Sequence, residues 1–225
     1  FSGMYQLYKL REQGLDVQVF EAGSDVGGTW YWNRYPGARV DIESMAYSFS
    51  FSEELQQEWE WSEKYSPQPE LLKYAQHIAD RFDLKNHIAF NTRVATAHFD
   101  EDADEWLVTT ECGRRIRAQH LVMATGVLSA SKEPDIVGRE NYQGDTYRTG
   151  LWPKEGVDFT GKRVAVIGTG SSAVQAIPLI AEEASELVVY QRTATFTTPA
   201  LNHALKKEDA DVIKANYGEY RSTQR

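Results

Sequence analysis

Apolar residues recur at helical spacing between Met4 and Gln13, at Met4, Leu7, Tyr8 and Leu10, and Gly14 closes the run. The short apolar stretch Asp16 to Phe20 then predicts a strand that stops at Glu21. A second helical face spans Gln68 to Phe82, apolar at 71, 72, 75, 78, 79 and 82, with Pro67 and Pro69 at its start. Alternating patterns follow. Val94 to Phe99 and Trp106 to Thr110 predict a hairpin across the acidic turn Asp100 to Asp104, Arg115 to Ala118 adds a third strand, and His120 to Ala124 reads as a buried strand ending at Ala124-Thr125-Gly126. Residues 129 to 160 carry turn signals and read as a linker, and Lys206 to Arg225 reads as a polar helix.

Composition narrows the function classes. With 41% hydrophobic and 25% charged residues, the 225-residue chain is ordinary for a globular protein. It holds no run of about 18 apolar residues, and it starts with Phe1 and no basic, apolar leader. The single cysteine, Cys112, permits neither an internal disulfide nor a C-x-x-C centre, which excludes a disulfide reductase and points to a cytoplasmic setting. A net charge of −9 disfavours nucleic acid as a partner. His77, His87, His98, His120 and His203 lack ligand spacing, so no metal is expected.

The most informative segment is KRVAVIGTGSSAVQAIPLIAEEASELVVYQRT, residues 162 to 193. Val164 to Ile167 is an apolar strand, Gly168-Thr169-Gly170-Ser171-Ser172-Ala173 has the form G-x-G-x-x-A, a helix runs on from Ala173, and Leu187 to Tyr190 is the next strand. Gly168 permits a tight turn, Gly170 lets backbone approach a pyrophosphate, and Ala173 allows close helix–strand packing. The opening of the chain repeats this device. Glu21 lies 18 positions after Gly3, and Arg192 lies 19 after Ala173, so Gly3 reads as the third small residue of a second motif whose leading strand precedes the sequence. On this reading the chain is a fragment.

The two copies end differently. Glu21 offers a carboxylate to a ribose diol, which suits the adenosine half of FAD. Arg192 and Thr193 offer a guanidinium and a hydroxyl to a 2′-phosphate, which suits NADPH over NADH. Between the copies, Gly27-Gly28 dictates an unusual backbone path, and Trp30, Tyr31, Trp32 and Tyr35 form either a platform for a planar ligand or part of a packed core.

These segments resemble type I Baeyer–Villiger flavin monooxygenases, of the phenylacetone and steroid monooxygenase branch, over essentially the whole chain. The likeness rests on GGTWYWNRYPGARVDIES, on Ala124-Thr125-Gly126, on YQGDTYRTGLWP from Tyr142 to Pro153, and on GTGSSAVQ. It implies an α/β fold with two Rossmann-like dinucleotide-binding domains, for FAD and NADP, of the two-domain flavoprotein type, both incomplete in this chain. The expected divisions are an FAD domain at 1–128, a linker at 129–160 and the start of an NADP domain at 161–225. The implied activity is NADPH-dependent reduction of FAD, uptake of O₂ as a C4a-peroxide and conversion of a ketone to an ester or lactone.

The resemblance also implies roles. Thr29, Trp30, Trp32, Asp41, Tyr47 and Val94 would line FAD, and Arg39, Val40, Asp41, Thr169, Gly170, Ser171, Ser172, Ala173, Val174, Gln175, Arg192 and Thr193 would meet NADPH. Asp41 is the expected catalytic residue, paired to an arginine beyond residue 225; read without the family, an Asp before Ile-Glu-Ser is a helix cap. One departure stands out. Where the family's linker segment has histidine this chain has Arg148, permanently charged and bulkier, which bears on domain coupling unless the linker tolerates it. Two other readings remain open: an N- or S-oxygenating flavoprotein, and a catalytically incompetent nucleotide-binding piece.

Overall fold

The computed structural model describes residues 1–223. In chain order the elements are α1 (Ser2–Glu12), β1 (Val19–Phe20), α2 (Thr29–Trp32), α3 (Ser44–Tyr47), α4 (Glu53–Glu58), α5 (Gln68–Arg81), β2 (Ile88–Ala89), β3 (Val94–Asp100), β4 (Glu105–Thr110), β5 (Arg115–Ala118), β6 (Arg163–Ile167), α6 (Ser171–Glu183), β7 (Glu186–Tyr190), α7 (Lys207–Ala215) and α8 (Tyr217–Thr223). They sort into two compact units that interleave along the chain: Phe1–Trp32 with Leu72–Tyr142, and Asn33–Leu71 with Gln143–Arg225. Compactness thus groups residues 33–71 with the C-terminal segment, a division unlike the sequential one at 128 and 160.

In the first unit α1 lies along α5. Tyr8 packs edge-on to Phe82 at 5.0 Å, and the Arg11 guanidinium donates to the carbonyls of Phe82 and Asp83 at 3.1 and 2.9 Å. Met4 and Leu7 are buried on one helix, and Tyr74, Ala75, Ile78 and Ala79 on the other, which is the face the helical spacing predicts. The strand expected over Asp16 to Phe20 shrinks to Val19–Phe20, paired in parallel with Ile88–Ala89. Upstream of it Leu15 is exposed and the Gln18 amide bonds the carbonyls of Val19 and His87, so side-chain bonding replaces a longer ladder.

The meander β3-β4-β5 forms as the alternation predicts, with Phe99 and Trp106 facing each other at 5.4 Å across the hairpin. Its turn is set by Asp104 at φ +53° and by the Asp100 carboxylate, which accepts from the Ala103 amide. The buried strand expected at His120 to Ala124 does not form. That stretch is irregular, with Val122 and Met123 exposed, because among the described residues no strand pairs with it.

The second unit is built on β6-α6-β7. The two strands pair in parallel from Arg163↔Glu186 to Ile167↔Tyr190. Ala176 and Ile180 of α6 pack with Tyr35, Ala38 and Phe159, and Trp152 from the W-P segment lies against this cluster, 6.1 Å from Phe159. The segment after Ala38 is tied back by two backbone bonds, Val40 N–H to Ser66 O at 3.1 Å and Gln68 N–H to Ala38 O at 2.8 Å. The polar helix expected over Lys206 to Arg225 is two helices, α7 and α8, broken at Asn216, and Gln224 and Arg225 fall outside the described residues. The break lets the Tyr217 hydroxyl reach the Met45 carbonyl at 2.7 Å inside the fold.

Candidate functional site

In the first unit the end of β1 is held by three backbone bonds: Glu21 N–H to Ala89 O, Asn91 N–H to Gly23 O and Thr92 N–H to Glu21 O. Glu21 turns its Oε1 onto the Gly23 amide at 2.6 Å, which fixes the carboxylate at the strand end. Gly3 opens α1, and a Cβ on it would make an ordinary 3.5 Å contact with the Ala124 Cβ. The close approach expected at Gly3 is therefore to the Ala-Thr-Gly segment, and it would accept an alanine, the residue found at position 173 in the second copy.

The two glycines of Gly27-Gly28 do different things. Gly27, at φ +127°, holds a backbone conformation that side chains rarely adopt, and a Cβ there would come to 2.6 Å from Leu72 Cδ1, the end of a side chain that can yield. Gly28, at φ +53°, would meet nothing within 4 Å. Their carbonyls accept from the amides of Trp30, Tyr31 and Trp32, which starts α2. Trp30 and Tyr31 are buried, the Tyr31 hydroxyl bonds Ser24, and Trp32 meets Tyr31 edge-on at 4.8 Å. Part of the aromatic run is thus core, and Thr29 and Trp32 stay half-buried. Val94 is exposed at the first position of β3.

In the second unit Gly168 sits at φ +103° between β6 and α6, with its amide bonded to Tyr190 O at 2.9 Å. Gly170 precedes α6, a helix long enough (13 residues) to present a developed dipole at its N-terminus. A Cβ on either glycine would meet nothing within 4 Å, so no packing among the described residues explains the two small positions. An open cradle of this kind fits a pyrophosphate on the amides of Ser171 and Ser172. Thr169 accepts from the Gln191 amide at 2.9 Å, while Ser171 and Val174 are exposed and Ala173 is half-buried. Arg192 and Thr193 are exposed just past β7.

Within the same unit the Pro36-Gly37-Ala38-Arg39 turn docks on α6. Gln175 Oε1 accepts from the Tyr35 hydroxyl at 2.9 Å and the Arg39 amide at 3.4 Å, and its Nε2 donates to Arg39 O at 3.1 Å. Burial pushes the Tyr35 phenol up; a hydrogen bond with Ser172 opposes this, and the Asp41 charge adds to it. The Arg39 guanidinium is spent on Glu63 Oε2 at 2.9 Å and Tyr65 O. Val40 is buried, and Asp41 is exposed. The N-cap of α3 is Glu43, so the helix-cap reading of Asp41 does not hold. Tyr47, half-buried, closes α3.

Residues 3–215 match the family described as pyridine nucleotide-disulphide oxidoreductase. The chain belongs to that family. It is 44% identical over 220 residues to a Baeyer-Villiger monooxygenase of Pseudooceanicola batsensis, a match covering 96% of this chain and 40% of the relative. Among solved structures, oxidized steroid monooxygenase bound to NADP is 54% identical, with a TM-score of 0.91 over 96% of this chain and 42% of that one. The complex of OTEMO with FAD and NADP is 46% identical, with a TM-score of 0.92 over 96% and 42%. The resemblance to Baeyer–Villiger flavin monooxygenases, and the two-dinucleotide-domain flavoprotein fold class, are thereby shown. The chain spans 36% to 42% of the length of the curated relatives compared with it.

Membership of a disulphide oxidoreductase family does not give this chain a disulfide centre, since it holds one cysteine, Cys112, which is exposed. Among the described residues no helix is long and apolar enough to cross a membrane. The sequence reading missed what Tyr35, Gly37 and Glu63 do. Only the glycine of the Pro-Gly pair signals a turn, and the partner that holds it lies 136 to 140 positions away.

Proposed function

We propose that this chain carries the FAD- and NADPH-binding parts of an NADPH- and O₂-dependent flavin monooxygenase that converts a ketone to an ester or lactone. The observation that carries this reading is the open cradle at Gly168 and Gly170 on a helix whose Gln175 also holds the turn leading to Asp41. The cofactor assignment is supported by solved neighbours bound to NADP, one of them also to FAD. We assign residues 1–128 to an FAD domain, 129–160 to a linker and 161–225 to an NADP domain, in a cytoplasmic enzyme acting on small-molecule ketones.

In this assignment Gly3 is the third small residue of the FAD motif, Glu21 accepts from the FAD ribose, and Gly28, Thr29, Trp30, Trp32, Asp41, Tyr47 and Val94 line that cofactor. The amides at the start of α6 take the NADPH pyrophosphate, and Arg192 and Thr193 take its 2′-phosphate. Flavin, when bound, supplies the activation of oxygen. The chain's own contribution is to bind, orient and exclude water, and to hold at Asp41 a carboxylate that fixes an arginine guanidinium beside developing negative charge.

The test uses the complete protein, loaded with FAD and mixed with NADPH, oxygen, phenylacetone and cyclohexanone. Ester or lactone formed in step with NADPH oxidation supports the reading and shows that Arg148 is accepted in the linker. NADPH oxidation that yields hydrogen peroxide alone sinks oxygen insertion for this protein.

A further inference from the structure

We infer that Gln175 is a positioning residue: its side-chain amide registers the Tyr35-to-Asp41 turn on α6, so the backbone that presents Asp41 is fixed by the helix carrying the glycine fingerprint. The inference rests on the reading above in taking Asp41 to act in the reaction. It departs from the role that the family resemblance implies in giving Gln175 to the protein rather than to NADPH.

The amide of Gln175 is nearly exhausted by this turn. Its oxygen accepts twice, from the Tyr35 hydroxyl and the Arg39 N–H, and its nitrogen donates once, to Arg39 O. The exchange with Arg39 in both directions copies a backbone ladder, so it fixes the height of the turn along the helix as well as its distance. Gly37 seals the contact. At φ +77° a Cβ there would lie 2.4 Å from the Gln175 carbonyl oxygen, so helix backbone and turn backbone approach directly. Tyr35 and Ala38 are buried beside Ala176 and Ile180, and the amides of Val40 and Gln68 hold the far side of the turn. Asp41 is the first exposed residue after this clamped stretch. One residue of α6 therefore transmits the position of the fingerprint helix to the carboxylate.

The complete protein is prepared as Gln175→Met, which keeps the volume and removes both polar ends, and as Gln175→Glu, which keeps the acceptor and loses the N–H. Tyr35→Phe, which removes one donor and keeps the ring, replaces Gln175→Met if that variant does not fold. Amide hydrogen exchange is followed without cofactors, NADP⁺ affinity by titration, and ester formed per NADPH oxidised by product analysis.

For Gln175→Met we expect exchange at the Arg39 amide to rise about tenfold or more, NADP⁺ affinity to change less than about threefold, and the ester yield per NADPH to fall severalfold. Gln175→Glu should keep Arg39 protected and lose part of the yield. Unchanged exchange together with a tenfold loss of NADP⁺ affinity would make Gln175 a cofactor ligand and overturn the inference. Asp41→Asn separates the two claims: full ester formation in that variant removes Asp41 from the reaction, whereas the exchange result for Gln175 stands or falls independently.

Discussion

Gly37 meets the backbone of Gln175 so closely that a Cβ on it would stand 2.4 Å from the Gln175 carbonyl oxygen, at a φ of +77° that side chains rarely adopt. Backbone cannot yield as the end of a flexible side chain can, so the turn must move off α6 to admit a methyl group. Gly37→Ala should cost about 2–4 kcal/mol, read as a lowered Tm of the complete protein. A Tm within a degree of the parent would refute the close approach.

Gly170 makes the opposite prediction. Its φ of −75° and ψ of −176° suit any residue, and a Cβ there would meet no protein atom within 4 Å. Gly170→Ala should leave stability within about 0.5 kcal/mol and weaken NADP⁺ binding about tenfold or more, since the methyl would fill the cradle. Undiminished NADP⁺ affinity in a titration would show that the pyrophosphate goes elsewhere.

Arg192 is exposed immediately after β7, and its assigned partner is the 2′-phosphate that distinguishes NADPH from NADH. Arg192→Ala should raise the KM for NADPH about 10- to 100-fold, as expected for loss of a charge-assisted bond, with the NADH value nearly unchanged. Equal losses for both cofactors in steady-state kinetics would remove Arg192 from coenzyme selection.

Glu43 links α3 to α8 and gives a pH prediction. A hydrogen bond from Tyr220 holds its carboxyl below the usual range, opposed by burial and aided by Lys64, whose Nζ lies 3.1 Å away. Burial, followed by Glu43 itself, pushes the Tyr220 phenol up, so both groups keep the forms that bond at neutral pH. A carboxyl depressed in the fold contributes stability above its unfolded pKa of about 4.3 and loses it as pH falls through the folded value. Tyr220→Phe should therefore unfold at less acidic pH and be less stable at pH 7, with the difference vanishing in strong acid. Parallel acid-denaturation curves for parent and variant would contradict this.

Elements whose periodicity is satisfied locally were legible. The face of α5, the hairpin of β3 and β4, and the β6-α6-β7 fingerprint lie where spacing and turn residues put them, within one or two positions. Elements needing a distant partner were not. His120 to Ala124 has a strand's composition and no ladder among the described residues, and only Val19 and Phe20 of the first predicted strand find β2. The helix of Lys206 to Arg225 breaks at Asn216 because Tyr217 is anchored on Met45, which nothing near it in sequence announces.

The sequence by itself determined the strand, glycine turn and helix of residues 163–183, because they rest on short-range backbone rules, and the family, because whole segments resemble it. Only the tertiary structure decided that Gly27 lies against Leu72 and Tyr31 while Gly28 faces open space, and that Gln175 and the Arg39 turn are one assembly. That contact depends on a bond from the Arg39 amide to a side chain 136 residues away and on the backbone approach of Gly37 to the same residue. Local propensity carries no term for it.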